Sequence, residues 1–167
     1  MTPLPGRLGT GEIHGWRIDT QRHAPAWDSG EGAFRVGGRW NGRGVRAVYA
    51  SIDPATAIAE VAVHKGFDTL DTVPHVLTAF RIDDTASIHV VQPDDLPNPN
   101  WLMPGPPTRG QQAFGNELLA IHPFILIPSV VSRNSWNLIF TAGAAAGRYT
   151  LLGQERLAID PRFAPSR

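Results

Sequence analysis

Apolar positions in this chain fall into short blocks rather than long periodic stretches, the pattern of a strand-rich domain with few helices. His14–Ile18, Ala47–Ser51, His75–Ile82 and Ser87–Val91 each read as a strand, the last two separated by the polar turn Asp83-Asp84-Thr85. Two stretches switch to helical spacing. Pro54–His64 sets Ile58, Val61 and Ala62 on one side, with Asp53 placed to cap its start, and Thr108 opens a second helix that runs to Ile121. Phe124–Val131, Trp136–Phe140, Tyr149–Leu152 and Leu157–Ile159 are further short apolar runs that supply the remaining strands. Asp19–Gly38 and the Pro- and Asn-rich Gln92–Pro107, which carries Trp101, lack an apolar repeat and read as long loops, a place where function is often found. Ala142–Gly147 is a small-residue tract that fits a loop or a short helix. Residues 1–12 form an irregular lead-in and 13–167 one domain, since no repeat or linker divides the chain. The expectation is a compact α+β domain with a twisted, mainly antiparallel sheet.

Composition narrows the partners. A chain of 167 residues, 42% of them hydrophobic, can bury a real core. Lys+Arg and Asp+Glu balance at 15 each, which argues against nucleic acid or a membrane surface as a partner. No run approaches the roughly 20 apolar residues of a membrane helix. No basic-then-apolar leader is visible either, so the expected compartment is the cytoplasm. The absence of Cys removes a disulfide scaffold and a thiolate nucleophile from consideration. Lys65 is the single lysine; the other 14 basic residues are Arg, reflecting either base composition or a need for planar guanidinium forks.

The densest chemistry lies in Arg35-Val-Gly-Gly-Arg-Trp-Asn-Gly-Arg-Gly, residues 35–44, where four glycines interleave with three arginines. Glycine lets a backbone approach a ligand and an Arg fork grips phosphate in two places, so a pyrophosphate site follows; a solvated Gly-rich hairpin is the plainer alternative. Neither a Walker loop nor a Rossmann fingerprint is present. Glu60 sits among apolar neighbours in Ala-Ile-Ala-Glu-Val-Ala-Val. There it either turns to solvent at the helix edge or, facing arginines, stabilises an oxocarbenium-like transition state of glycosidic cleavage. Tyr49 and Ser51 alternate on one strand and share a face, while Ser129 is a polar interruption in Ile-Pro-Ser-Val-Val that also fits a simple turn. The six His residues show no metal-ligand spacing, and no metal is expected.

Together these pieces resemble the RES domain, named for an Arg, a Glu and a Ser. The matching residues are Trp16-Arg17-Ile18, Gly37-Gly-Arg-Trp-Asn41, Gly44, Ala47-Val-Tyr-Ala50, Ala57-Ile-Ala-Glu60 and Val63-His64. Further along follow Leu96-Pro97, Trp101, Gln112-Ala-Phe-Gly115, Ile127-Pro-Ser129 and Asp160-Pro-Arg162. The resemblance implies an ADP-ribosyltransferase-like fold and a toxin of a toxin–antitoxin module that consumes NAD. Such a toxin degrades NAD by hydrolysis or phosphorolysis, or passes ADP-ribose to a target protein. It also implies a cognate antitoxin that occludes the site. Glu60, Arg39 and Ser129 then become the catalytic set, with Arg17, Arg35, Trp40, Asn41, Tyr49 and Ser51 toward NAD; Arg17 and Arg39 compete for the key Arg. Where many members read N-x-L-x-N-P-x-H, this chain has Asn137-Leu-Ile-Phe-Thr-Ala-Gly, which leaves the ADP-ribose acceptor open. The reading from a different class is a binding module whose Arg- and Gly-rich surface holds an acidic partner without chemistry.

Overall fold

The computed structural model describes residues 12–160. The first eleven residues of the expected lead-in, and the Pro161-Arg162 end of the last family match, lie outside the described residues. Eleven regular elements follow in the order β1 (Ile13–Thr20), α1 (Glu31–Val36), β2 (Val48–Ser51), α2 (Pro54–Lys65), α3 (Phe67–Thr72), β3 (His75–Ile82), β4 (Ile88–Val90), α4 (Arg109–Ile121), β5 (Phe124–Pro128), β6 (Trp136–Phe140) and β7 (Tyr149–Arg156). The strands form a seven-stranded sheet in the order β4-β5-β6-β2-β1-β3-β7, antiparallel throughout except for β4 against β5. The expected single α+β domain with a mainly antiparallel sheet is the architecture observed.

Side-chain alternation gives the sheet two buried faces. Val48, Ala50, Leu138, Phe140, Leu126 and Phe124 point to one side, where they pack with Phe80, Ile82 and the indole of Trp27. Ala47, Ile139, Ile125 and Ile127 point to the other, under Trp40 and Leu119 of α4. A third cluster joins α2 to the sheet through Ala57, Ala62, Ile18 and Leu77. Gly115 lets α4 lie directly on the backbone of Trp40, since a Cβ there would come within 2.0 Å of the Trp40 carbonyl oxygen.

Four features differ from expectation. The segment 19–38 is not a continuous loop: it holds a 3-10 turn at Gln21–Ala26 and α1, pinned by the buried Trp27. Helix α3, absent from the expected elements, buries Leu70. The end of the sheet is one eight-residue strand, β7, rather than separate runs at 149–152 and 157–159. Polar Gln154, Glu155 and Arg156 continue the strand because it is an edge with exposed faces, where apolar alternation is not required. β5 also stops at Pro128, after which Ser129 turns the chain toward β6.

The join between β1 and β2 positions everything that follows. Their register is carried by the single pair Trp16↔Ser51, so the two halves of the sheet part on one side of that point. Arg17 spans the gap: Nη1 donates to the Tyr49 carbonyl at 2.8 Å, while Nε and Nη2 fork onto the Asp19 carboxylate at 2.8 and 2.6 Å.

Candidate active site

A cleft of about 400 Å³ opens at this join, between the loop after α1 and the inner side of α2. Its wall includes Arg17, Gly38, Arg39, Tyr49, Glu60 and Asn137. Helix α2 is aimed at it by its cap. Asp53 Oδ1 accepts from the Thr56 backbone N–H at 2.7 Å, and Oδ2 accepts from Thr56 Oγ1 and from Ser135 Oγ, each at 2.7 Å. Burial opposes the Asp53 charge, but these donors outweigh it and hold the carboxyl below its ordinary value.

Two turns along α2, Glu60 faces the cleft wall rather than bulk solvent. Its Oε1 accepts from Ser129 Oγ at 2.7 Å and from Asn137 Nδ2 at 2.6 Å. Both bonds to described residues fall on this one oxygen. Ser129, 3% exposed, is therefore a partner of Glu60, and its oxygen also accepts the Ser132 backbone N–H at 2.8 Å. No local pattern marks Asn137, a lone amide in the apolar run Trp136–Phe140. Its place follows from strand register, which sets it opposite Ser51.

The Gly-rich segment divides into residues that face the cleft and residues that build the loop. Arg39 lines the cleft and donates Nη2 to the Gly105 carbonyl at 2.7 Å. Among the described residues it has no carboxylate partner within ion-pair distance, unlike Arg17. Burial draws its guanidinium below the ordinary value, and the charge of Glu60 pulls in the opposite direction. Asn41 is fully buried and serves the loop: Nδ2 donates to the carbonyls of Ala33, Gly42 and Val45. Its Oδ1 accepts from the Tyr49 hydroxyl at 2.7 Å, and that hydroxyl accepts the Trp40 backbone N–H at 3.0 Å. Tyr49 thus offers the cleft a ring, with its hydroxyl occupied and held protonated by burial. Gly38 has no room for a side chain: a Cβ would lie 2.6 Å from the Tyr49 hydroxyl oxygen and 2.7 Å from Asn41 Oδ1.

Of the residues expected to face a ligand, Arg17, Arg39, Trp40, Tyr49, Ser51 and Glu60 are brought to one cleft. Trp40 is only 2% exposed, its indole edge-on to Trp101 and Phe114. Arg35 is not brought there. It lies on the outer side of α1, paired with Glu31 at 2.7 Å, because the tight turn at Gly37 separates it from Arg39. Asn41 is turned inward, away from the lining, by its three carbonyl partners. The outer end of α2 adds His64 and Lys65 to the rim, both exposed, Lys65 being the chain's single lysine. No group of three or more His, Cys, Asp or Glu residues is arranged to hold a metal among the described residues.

The RES domain profile matches residues 14–160, nearly the whole described chain. The chain belongs to the RES-domain family. Toxin Res of Yersinia enterocolitica is 30% identical over 153 residues, covering 89% of this chain and 97% of that protein. Toxin Res of Pseudomonas putida is 33% identical over 127 residues, covering 75% and 81% respectively. The Prs ADP-ribosylating toxin of a Sphingobium species is 33% identical over 129 residues, covering 74% and 79%. Among solved structures, the M. tuberculosis MbcT-MbcA toxin-antitoxin complex contains a chain of similar fold, with a TM-score of 0.60 and 19% identity over 88% of this chain and 85% of that one. Glu60 and Ser129 are in contact, and the charges of Glu60 and Arg39 are close enough to interact.

Proposed function

We propose that this RES-domain protein is the toxin of a toxin–antitoxin pair and breaks the nicotinamide–ribose bond of NAD. The observation that carries the reading is Glu60: a carboxylate on a cleft wall with one oxygen held by two donors, opposite an arginine with no carboxylate partner among the described residues. Arg39 takes the pyrophosphate. Arg17 is already forked onto Asp19 at the join between the sheet halves, which favours Arg39 over Arg17 as the key Arg. The Tyr49 ring packs against the nicotinamide ribose or its ring.

With NAD seated, the C1′–N bond breaks and its electron pair leaves with neutral nicotinamide. Glu60 Oε2 accepts a hydrogen bond from a ribose hydroxyl and stabilises the positive charge that spreads over C1′ and the ring oxygen. An acceptor oxygen or nitrogen then bonds to C1′ and releases its proton. The name of the Sphingobium relative favours a protein side chain as acceptor over water or phosphate. The kind of complex formed by the structural neighbour favours an antitoxin as partner, and the cleft is the surface it would occlude. Val36, next in sequence to the lining residue Gly37, and Val63, next to the lining residue His64, are exposed apolar side chains that suit such a protein. A toxin working on the cellular NAD pool acts in the cytoplasm.

The test is NAD consumption by the purified chain with and without inorganic phosphate, beside a lysate incubated with labelled NAD. Glu60→Gln is expected to lower turnover on the order of 100-fold or more, as loss of a charge that acts on the transition state does. Retention of wild-type turnover by Glu60→Gln would remove Glu60 from this role. Absence of both NAD loss and labelled protein in the wild type would reduce the chain to a binding module.

A further inference from the structure

Glu60 does not stand alone on the wall. Ser51 Oγ, itself 2% exposed, donates to Asn137 Oδ1 at 3.0 Å, and Asn137 Nδ2 donates to Glu60 Oε1 at 2.6 Å. We infer that Ser51 and Asn137 form a directional relay that aims the Glu60 carboxylate, with Asn137 as a positioning residue and Ser51 acting through it. This rests on the NAD-cleaving reading of the same cleft.

The polarity of the relay is fixed by its carboxylate end. An ionised carboxylate can only accept, so the Asn137 amide must present its nitrogen to Glu60. Its oxygen is then turned to Ser51, whose single hydroxyl hydrogen completes the chain. A flipped amide would set two acceptors face to face beside Glu60 and leave Ser51 without its acceptor. Strand register holds both ends: Ser51 and Asn137 are directly opposed across β2 and β6, and Ser51 is also the one β2 residue paired with β1. The relay is thus built into the join at which the cleft opens.

Its consequence is a division of labour between the carboxylate oxygens. Ser129 and Asn137 both take Oε1, so the side chain cannot rotate without breaking two charge-assisted bonds, and Oε2 is left for the ribose hydroxyl. A purely structural polar chain in such apolar surroundings would be replaced by well-packed hydrophobic residues at little cost. This one ends on the carboxylate that the reaction uses.

The experiment combines kinetics with a signal that needs no turnover. Asn137→Ala is expected to lower kcat roughly 10- to 100-fold while KM changes less than about 3-fold, the pattern of lost orientation in the transition state. Ser51→Ala should lose roughly 3- to 10-fold, Ser51→Thr should restore most of it, and the double Ser51→Ala/Asn137→Ala variant should be no worse than Asn137→Ala. Effects that multiply, or Ser51→Thr as poor as Ser51→Ala, would overturn the relay. In a ¹⁵N-edited NMR spectrum, one Asn137 side-chain amide proton should lie far downfield in the wild type and return toward the ordinary amide position in Ser51→Ala and Glu60→Gln. An Asn137 amide unchanged by either substitution would overturn the relay even if the wild type consumed no NAD, whereas NAD inertness with the downfield proton present would overturn the proposed reaction alone.

Discussion

Residues adjacent in sequence do different physical work in the Gly-rich segment. Arg35 is a solvated partner of Glu31, its side chain 73% exposed, whereas Asn41 is sealed among three carbonyls and a phenol. Arg35→Ala should therefore change melting temperature by no more than about 2 °C and leave NAD turnover intact, because exposed ion pairs contribute little. Asn41→Ala strands the Tyr49 hydroxyl and buried carbonyls, at a cost of about 2–4 kcal/mol, and should lower the melting temperature by roughly 5–15 °C in a thermal scan. An Asn41→Ala protein as stable as wild type would contradict the loop-building role. Much of the site was legible at this scale and some was not. Glu60 announced itself as a charge inside an apolar helix, a conflict that burial makes expensive. The separate duties of Arg35, Arg39 and Asn41 were not legible, since a run of glycines fixes no side-chain direction until Gly37 adopts its positive φ and α4 supplies partners. Asn137 acquires meaning only from the residue opposite it.

Elements carry the next layer of precision. Helix α2 is tethered at its start by Asp53, which bonds to its own first turn and to Ser135 just before β6, so that Glu60 and Asn137 are indexed to one another. Asp53→Asn should cost about 1–2 kcal/mol, through the weakened cap and the lost charge-assisted bond to Ser135. The Asp53 carboxyl is held below its ordinary value in the fold, so the unfolded chain binds the proton more readily. The stability it contributes is complete above the unfolded-state value and is lost as pH falls through the lower folded-state value. Thermal scans across the acidic range should thus show a shallower decline for Asp53→Asn than for wild type; parallel curves would contradict the assignment. Elements that the apolar pattern reveals are those with a buried face, such as β3 and β6. Helices α1 and α3, six residues each, bury too little to print a period, and β7 is exposed on both sides.

At the scale of the whole molecule, the cleft exists because two halves of one sheet meet at a single residue pair and then diverge. Arg17 and Arg39, both on the cleft, should accordingly fail in different ways. Arg17→Lys keeps the charge but loses the planar fork onto Asp19 and the reach to Tyr49, costing on the order of 3 kcal/mol and lowering the melting temperature. On the proposed reading Arg39→Lys should leave melting nearly unchanged and raise KM for NAD roughly 10-fold, because a bidentate grip on phosphate would become a point charge. Equal thermal losses in the two variants would mean that Arg39 also holds the fold together.

The scarcity of lysine has a practical corollary. Lys65 projects from the cleft rim and carries the only side-chain amine in the protein. An amine-reactive dye that spares the α-amino group would attach at one place, beside the mouth of the cleft. Such a chain is its own optical gauge: a ligand or a covering protein that enters the mouth should change the colour or anisotropy of the dye, and a partner that docks elsewhere should leave it dark to the event.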